Sequence, residues 1–157
     1  MGNEEYKPDE LDLRLLGLIS NNARISFLEV ARICNVSGAA VHQRIQRLMN
    51  NDIISGSSFT LNTQRLGFDT CAFISMSFDQ AADIEQIAQQ IEQIPFVTEC
   101  HHTIGADDLL VKIYAHNNAH LHDIILRQIK PLGLTHSETI ISYKQSFIRQ
   151  LTPTPAE

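Results

Sequence analysis

Ser37, Ala39, His42, Gln43, Arg44, Gln46 and Arg47 set hydroxyl, imidazole, amide and guanidinium groups at helical spacing within the stretch from Ser37 to Asn50. Amide and guanidinium groups make paired hydrogen bonds with base edges in the major groove of DNA. At about 100° per residue, Val41, Ile45 and Leu48 share one side of that helix, and Ala39, His42, Gln43, Gln46, Arg47 and Asn50 lie opposite. A solvated surface helix has the same pattern, so the neighbouring elements must decide. A second group is Gly105-Ala106-Asp107-Asp108, residue types that tight turns favour for backbone reasons, with Asp107 expected to face solvent. His101 and His102 are adjacent on a strand and point to opposite faces, so they cannot hold one ion together. His116 and His120 are four apart, a spacing for a metal pair, but no Cys or Glu nearby completes a set. No nucleophile, base and orienting group come together, so neither catalysis, a metal nor a cofactor is expected.

The elements that must position these groups follow from capping and periodicity. Asp9 can cap a helix to Asn21, with Leu11, Leu15, Leu18 and Ile19 on its apolar face and Asp12 near its positive end. Ser26-x-x-Glu29 reads as a capping box for a short second helix through Cys34. Asn35 can take the left-handed conformation that ends it, and Ser37 caps the third helix. Two short helices joined by so short a turn form a helix-turn-helix, with the recognition helix from Ser37 to Asn50. Ile53 to Asn62 alternates around Gly56 and predicts a hairpin wing. The expected boundaries are a DNA-binding domain over 1–60, a linker over 61–67 and a second domain over 68–157.

That second domain alternates strand and helix patterns. Ala72, Ile74, Met76 and Phe78 line one strand face, and Ile84, Ile87, Ala88 and Ile91 mark a helix. Phe96–Ile104 predicts a strand, Leu109, Val111 and Ile113 another, and Leu121, Ile124 and Ile125 a helix ended by Pro131 and Gly133. Thr135–Phe147 predicts a long last strand. The order β-α-β-β-α-β is ferredoxin-like, so the fold class is α+β, a winged helix-turn-helix followed by a ferredoxin-like domain. With both helices on one sheet face, the other carries Phe73, Leu110, Tyr114, Ile141 and Tyr143. An uncovered apolar face implies a partner, so a homodimer with sheets face to face is expected.

Composition narrows the class. Hydrophobic residues make up 43% and charged residues 19%, enough to bury a core. No apolar run of about 18 residues predicts a membrane span, and the polar start lacks the pattern of a signal peptide, so the expected place is the cytoplasm. Cys34, Cys71 and Cys100 are scattered in apolar runs and read as reduced thiols. Net charge is −6, yet within 21–50 Arg24, Arg32, Arg44 and Arg47 stand against Glu29 alone. Phosphate contacts need only local positive charge, because distant repulsion is screened beyond roughly 8 Å at physiological salt.

The residues Asp9-Glu10-Leu11-Asp12, Arg24-Ile25-Ser26, Glu29-Val30-Ala31, Ser37, Val41, Arg44 to Leu48 and Ile53 to Gly56 resemble the helix-turn-helix of the leucine-responsive/asparagine-operon (Lrp/AsnC) regulators. Glu99-Cys100 and Gly105 to Lys112 resemble the G-x-x-D turn of that family's effector-binding domain. Asp52 stands where the family usually has Gly, and Asp tolerates left-handed backbone. Asn62-Thr63 replaces Asp-Pro in the linker, the start Gly38-Ala39-Ala40 is small, and His101-His102 replaces an aromatic or aliphatic pair. The resemblance implies a transcription regulator that binds double-stranded DNA, assembles as homodimers and then octamers, and is modulated by an amino acid held between subunits. It places His102, Thr103, Gly105, Ala106, Asp107 and Asp108 around that effector, with Ser137 and Thr139 from a neighbouring subunit. Turn amides can hold a carboxylate, and Asp108 can pair with an α-ammonium. The rival readings are a sequence-tolerant DNA-wrapping protein and, more remotely, an enzyme on the same architecture.

Overall fold

The structure is a computed structural model that describes residues 6–151. It divides into two compact units, residues 6–60 with 147–151, and residues 61–146. The last described residues thus group with the first unit, where the sequence had assigned them to the second domain.

Three helices build the first unit: α1 (Glu10–Asn21), α2 (Phe27–Cys34) and α3 (Gly38–Asn50). A reciprocal capping box starts α1, in which Asp9 Oδ1 accepts from the Asp12 amide at 2.8 Å and Asp12 Oδ2 accepts from the Asp9 amide at 3.1 Å. Ser26 caps α2 through the Glu29 amide, and Ser37 caps α3 through the Ala40 amide, each at 3.1 Å. Between them Asn35 is left-handed at φ 55°, and the Val36 amide returns to the Ala31 carbonyl, so the chain turns in three residues. Leu15, Leu16, Val30, Ala31, Val41, Ile45 and Leu48 form the core. Asp52 ends α3 at φ 56°, the left-handed backbone the sequence allowed it.

The expected wing is absent, because residues 53–62 form no strand. Ile53 and Ile54 pack on the helical core, and their amides return to the Leu48 carbonyl. Beyond them Phe59 and Leu61 stay exposed, so the alternation there has no sheet to pair with among the described residues.

The second unit contains β1 (Thr70–Ser77), α4 (Ile84–Glu92), β2 (Val97–His102), β3 (Leu109–Ala115), α5 (Asn118–Ile124) and β4 (His136–Ser142). The antiparallel sheet has the order β2-β3-β1-β4, the ferredoxin-like arrangement. One face carries Ala72, Ile74, Met76, Leu109, Val111 and Ile113, all fully buried against Ile87 and Ile91 of α4 and Leu121 and Ile124 of α5. α5 continues through a wider turn at Ile125–Ile129 and ends at Gly133, which is left-handed at φ 81°.

Two expectations change here. β4 ends at Ser142 rather than Phe147, because its last partner is Cys71 at the start of β1 and no neighbouring strand extends further. Ile141 pairs with Ala72 and therefore lies on the helix side, while Ile140 pairs with Phe73 on the open face. Alternation around a single strand cannot choose between them, since a slip of one residue exchanges the faces. The open face thus carries Phe73, Leu110, Tyr114 and Ile140, and Tyr143 lies beyond the strand.

Candidate functional site

α3 buries Val41, Ile45 and Leu48 and exposes Ala39, His42, Gln43, Gln46, Arg47 and Asn50, with Ser37 at its start. The His42 imidazole meets the Phe27 ring edge-on at 6.2 Å, and Gln46 Nε2 reaches Met49 Sδ at 3.9 Å. Gln43 and Asn50 are exposed. Such a face offers donors and acceptors at the spacing that base edges present.

Arg44 departs from the expected exposed row. It is half-buried on the flank of α3, and its Nη1 donates to Asp9 Oδ2 at 2.6 Å and to Asp12 Oδ1 at 2.7 Å. The two carboxylates hold its guanidinium firmly protonated and keep Asp9 below the usual carboxylate range. Asp12 is 1% exposed and also accepts from the Tyr6 hydroxyl at 2.5 Å, which raises the phenol above its ordinary value. Arg47 stands beside the same hydroxyl. The sequence reading saw Asp12 only as a partner of the helix dipole. The signal it passed over was Asp9-x-x-Asp12, two acids on one edge of α1 with a matching arginine on α3.

In the second unit the Gly105–Asp108 turn joins β2 to β3. The Thr103 amide donates to the Asp108 carbonyl at 2.9 Å, and the Thr103 hydroxyl to the Asp107 carbonyl at 2.5 Å. Asp108 Oδ2 accepts from the Phe78 amide at 2.8 Å, and the Asp108 amide donates to the Met76 carbonyl at 2.9 Å. Asp107, expected in solvent, is not buried and accepts from the Ser77 hydroxyl at 2.7 Å, which lowers its carboxyl. Both aspartates therefore tie the turn to the end of β1. Among the described residues no backbone carbonyl takes the amides of Ile104, Gly105, Ala106 or Asp107. A side chain added at Gly105 would meet nothing within 4 Å, so its own turn does not require glycine.

Ser137 pairs with Met76, and Thr139 with Ile74, so both lie on the helix side of β4, where this edge strand is nonetheless exposed. The chain's own Ser137 and its turn thus flank the same end of β1. His102 lies at the end of β2 with Nε2 3.8 Å from Glu85 of α4, so it stands apart from Ser137 by two strands.

Several other polar groups have structural partners. His116 and His120 stack at 5.0 Å, with Phe68 stacked on His116 at 4.6 Å and Phe96 edge-on to His120. Nδ1 of His116 lies 2.7 Å from the Gly67 carbonyl, and Nδ1 of His120 accepts from the His116 amide. Parallel rings do not converge on a metal, which binds in the ring plane. On the open face Lys112 Nζ meets Glu99 Oε1 at 2.8 Å, which raises the amine and lowers the carboxyl. Burial pushes the Cys71 and Cys100 thiols up.

Residues 9–49 match the profile of the AsnC-type helix-turn-helix domain, and residues 71–151 that of the Lrp/AsnC ligand binding domain. The chain is 28% identical over 146 residues to Regulatory protein AsnC of Haemophilus influenzae, covering 92% of this chain and 97% of that one. It is 32% identical over 138 residues to an uncharacterized HTH-type transcriptional regulator of Pyrococcus horikoshii, covering 86% and 92%. The solved structure of Escherichia coli AsnC superposes with a TM-score of 0.86 at 26% identity, over 94% of this chain and 100% of that one. A transcriptional regulator of Neisseria meningitidis in complex with L-Met shares the fold, with a TM-score of 0.86 at 19% identity over 94% and 97%.

Proposed function

We propose, from the premise that this chain belongs to the Lrp/AsnC family of transcription regulators, that it reads its DNA sites through α3 and adjusts that binding to an amino acid held at the Gly105–Asp108 turn. The family consists of regulators with a DNA-binding and a ligand-binding domain rather than of enzymes. No helix among the described residues is long and apolar enough to cross a membrane. A regulator of this kind works beside the chromosome, so the cytoplasm is its proposed place.

The observation that carries the DNA reading is the Ser37-capped helix with Ala39, His42, Gln43, Gln46, Arg47 and Asn50 all turned outward. Gln43 and Gln46 are the proposed base readers, Ser37 and Arg47 the proposed phosphate contacts, and His42 and Ala39 the apolar or shape-sensing surface. Arg44 is withdrawn from this set by its two carboxylates.

The effector reading rests on the free amides of the turn and on the unexplained glycine at 105. Amides in such a turn suit a carboxylate. One oxygen of Asp108 is committed to the Phe78 amide, which leaves Oδ1 for an α-ammonium. His102, Thr103, Ala106, Asp107, Ser137 and Thr139 complete the proposed surroundings. A neighbouring subunit supplies Ser137 and Thr139 in this reading, and the solved complex of a Neisseria meningitidis regulator with L-Met supports an amino acid as the class of ligand.

The open sheet face supports pairing of the protomer with a second copy. Phe73, Leu110, Tyr114 and Ile140 form an apolar strip that a two-fold mate can cover. Assembly of four such dimers into an octamer is the proposed larger state, carried by the family likeness.

Selection of duplexes from a random-sequence pool tests the function. The wild-type protein is expected to enrich one motif, and Gln43→Ala with Gln46→Ala to lose discrimination at one or two positions, roughly 1–3 kcal/mol each. Binding of all duplexes alike would refute sequence reading and favour sequence-tolerant wrapping.

A further inference from the structure

Asp12 is the most enclosed charged side chain of the first unit among the described residues, and it is not one of the proposed DNA contacts. Its carboxylate gathers donors from three places: the Tyr6 hydroxyl and the Asp9 amide at Oδ2, and Arg44 Nη1 at Oδ1. Arg44 Nη1 also reaches Asp9, so a single nitrogen on α3 bridges two carboxylates on the first turn of α1. The apolar contacts of Val41, Ile45 and Leu48 attract α3 to the core, but such burial is non-directional and tolerates a helix turning about its own axis. Charged hydrogen bonds are directional. A turn of roughly 20° about the axis carries a side-chain tip, about 6 Å out, through some 2 Å, and a base-edge hydrogen bond does not survive that displacement.

We propose that Arg44 is a positioning residue: its bridge to Asp9 and Asp12 sets the rotation of α3, so that Gln43 and Gln46 meet the bases they read. This inference rests on the DNA-reading function proposed above. It assigns to Arg44 a role distinct from both phosphate binding and simple support of the fold.

The test uses the full-length protein and two duplexes, one enriched by the wild-type protein from the random pool and one of the same composition with the motif scrambled. Arg44→Met removes the charge and keeps the aliphatic stem. Arg44→Met with Asp12→Asn also removes the buried charge that the first change strands, and so recovers stability. Affinity for both duplexes is measured against salt, with circular dichroism as the check on folding.

Positioning predicts that the ratio of specific to scrambled affinity falls at least about fivefold in both variants, the discrimination of one base-edge pair. The salt dependence and the scrambled-duplex affinity stay unchanged. Return of the ratio to the wild-type value in the double variant would overturn the proposal in favour of support of the fold. A salt slope shallower by about one on both duplexes would overturn it in favour of a phosphate contact. If the wild-type protein enriches no motif, the DNA-reading function itself fails and this inference falls with it.

Discussion

Asp108 has two roles that a pair of substitutions can separate. Its Oδ2 accepts from the Phe78 amide at 2.8 Å, and Phe78 is 8% exposed, so water does not replace a lost acceptor. Asp108→Ala leaves that amide unpaired, at a cost of about 1–3 kcal/mol. For a unit of this size each kcal/mol lowers the midpoint by roughly 4–8 °C, so a drop of about 4–24 °C is expected. Asp108→Asn keeps an oxygen for Phe78 and removes only the charge, so its midpoint should move by a few degrees at most. An α-ammonium that loses its ion pair gives up about 1.5–3 kcal/mol, a loss of affinity of roughly ten- to a hundredfold. The assay is calorimetric unfolding of the full chain, paired with titration of the amino acids into each protein. Asp108→Asn that unfolds normally yet binds the wild-type ligand with full affinity would refute the effector role. Asp108→Ala that unfolds at the wild-type temperature would refute the structural role, since the Phe78 amide would then have needed no partner.

Leu48→Ala empties a fully buried site on α3 and is expected to cost about 2–5 kcal/mol, melting the first unit early and abolishing DNA binding at moderate temperature; a melting curve unchanged within 2 °C, roughly half a kcal/mol for a small unit, would contradict this. Lys112→Met breaks the pair with Glu99. Glu99 is held below its ordinary 4.5, so its contribution is present above that pH and fades as pH falls through the folded value; Lys112 is held above its ordinary 10.5, so its contribution is present below that pH and fades on raising pH further. The urea midpoint of the variant should therefore trail the wild type most between those two ordinary values, and the gap should narrow as pH falls below 4.5. A gap that stays constant from neutral pH down through that acid limb would show that the charge pair does not stabilise the sheet.

The three capped helices were legible in the sequence because capping is local: Asp9, Ser26, Ser37 and Asn35 act within a few residues of themselves. The buried strand faces were legible for the same reason, since alternation at Ala72, Ile74 and Met76 needs no partner to be read. The wing was not, because strand character at Phe59 and Leu61 becomes a strand only if another edge accepts its backbone. Nor was the length of β4 or the side taken by Ile141, both fixed by where β1 begins and by the register against it. The recognition helix shows the division most clearly. Its outer row of Ala39, His42, Gln43, Gln46 and Arg47 follows from periodicity alone. Arg44 sits on the flank, where a helical wheel leaves either direction open. Only the approach of α1, 32 residues earlier in the chain, placed Asp12 within 2.7 Å and turned that side chain from the DNA surface into the fold.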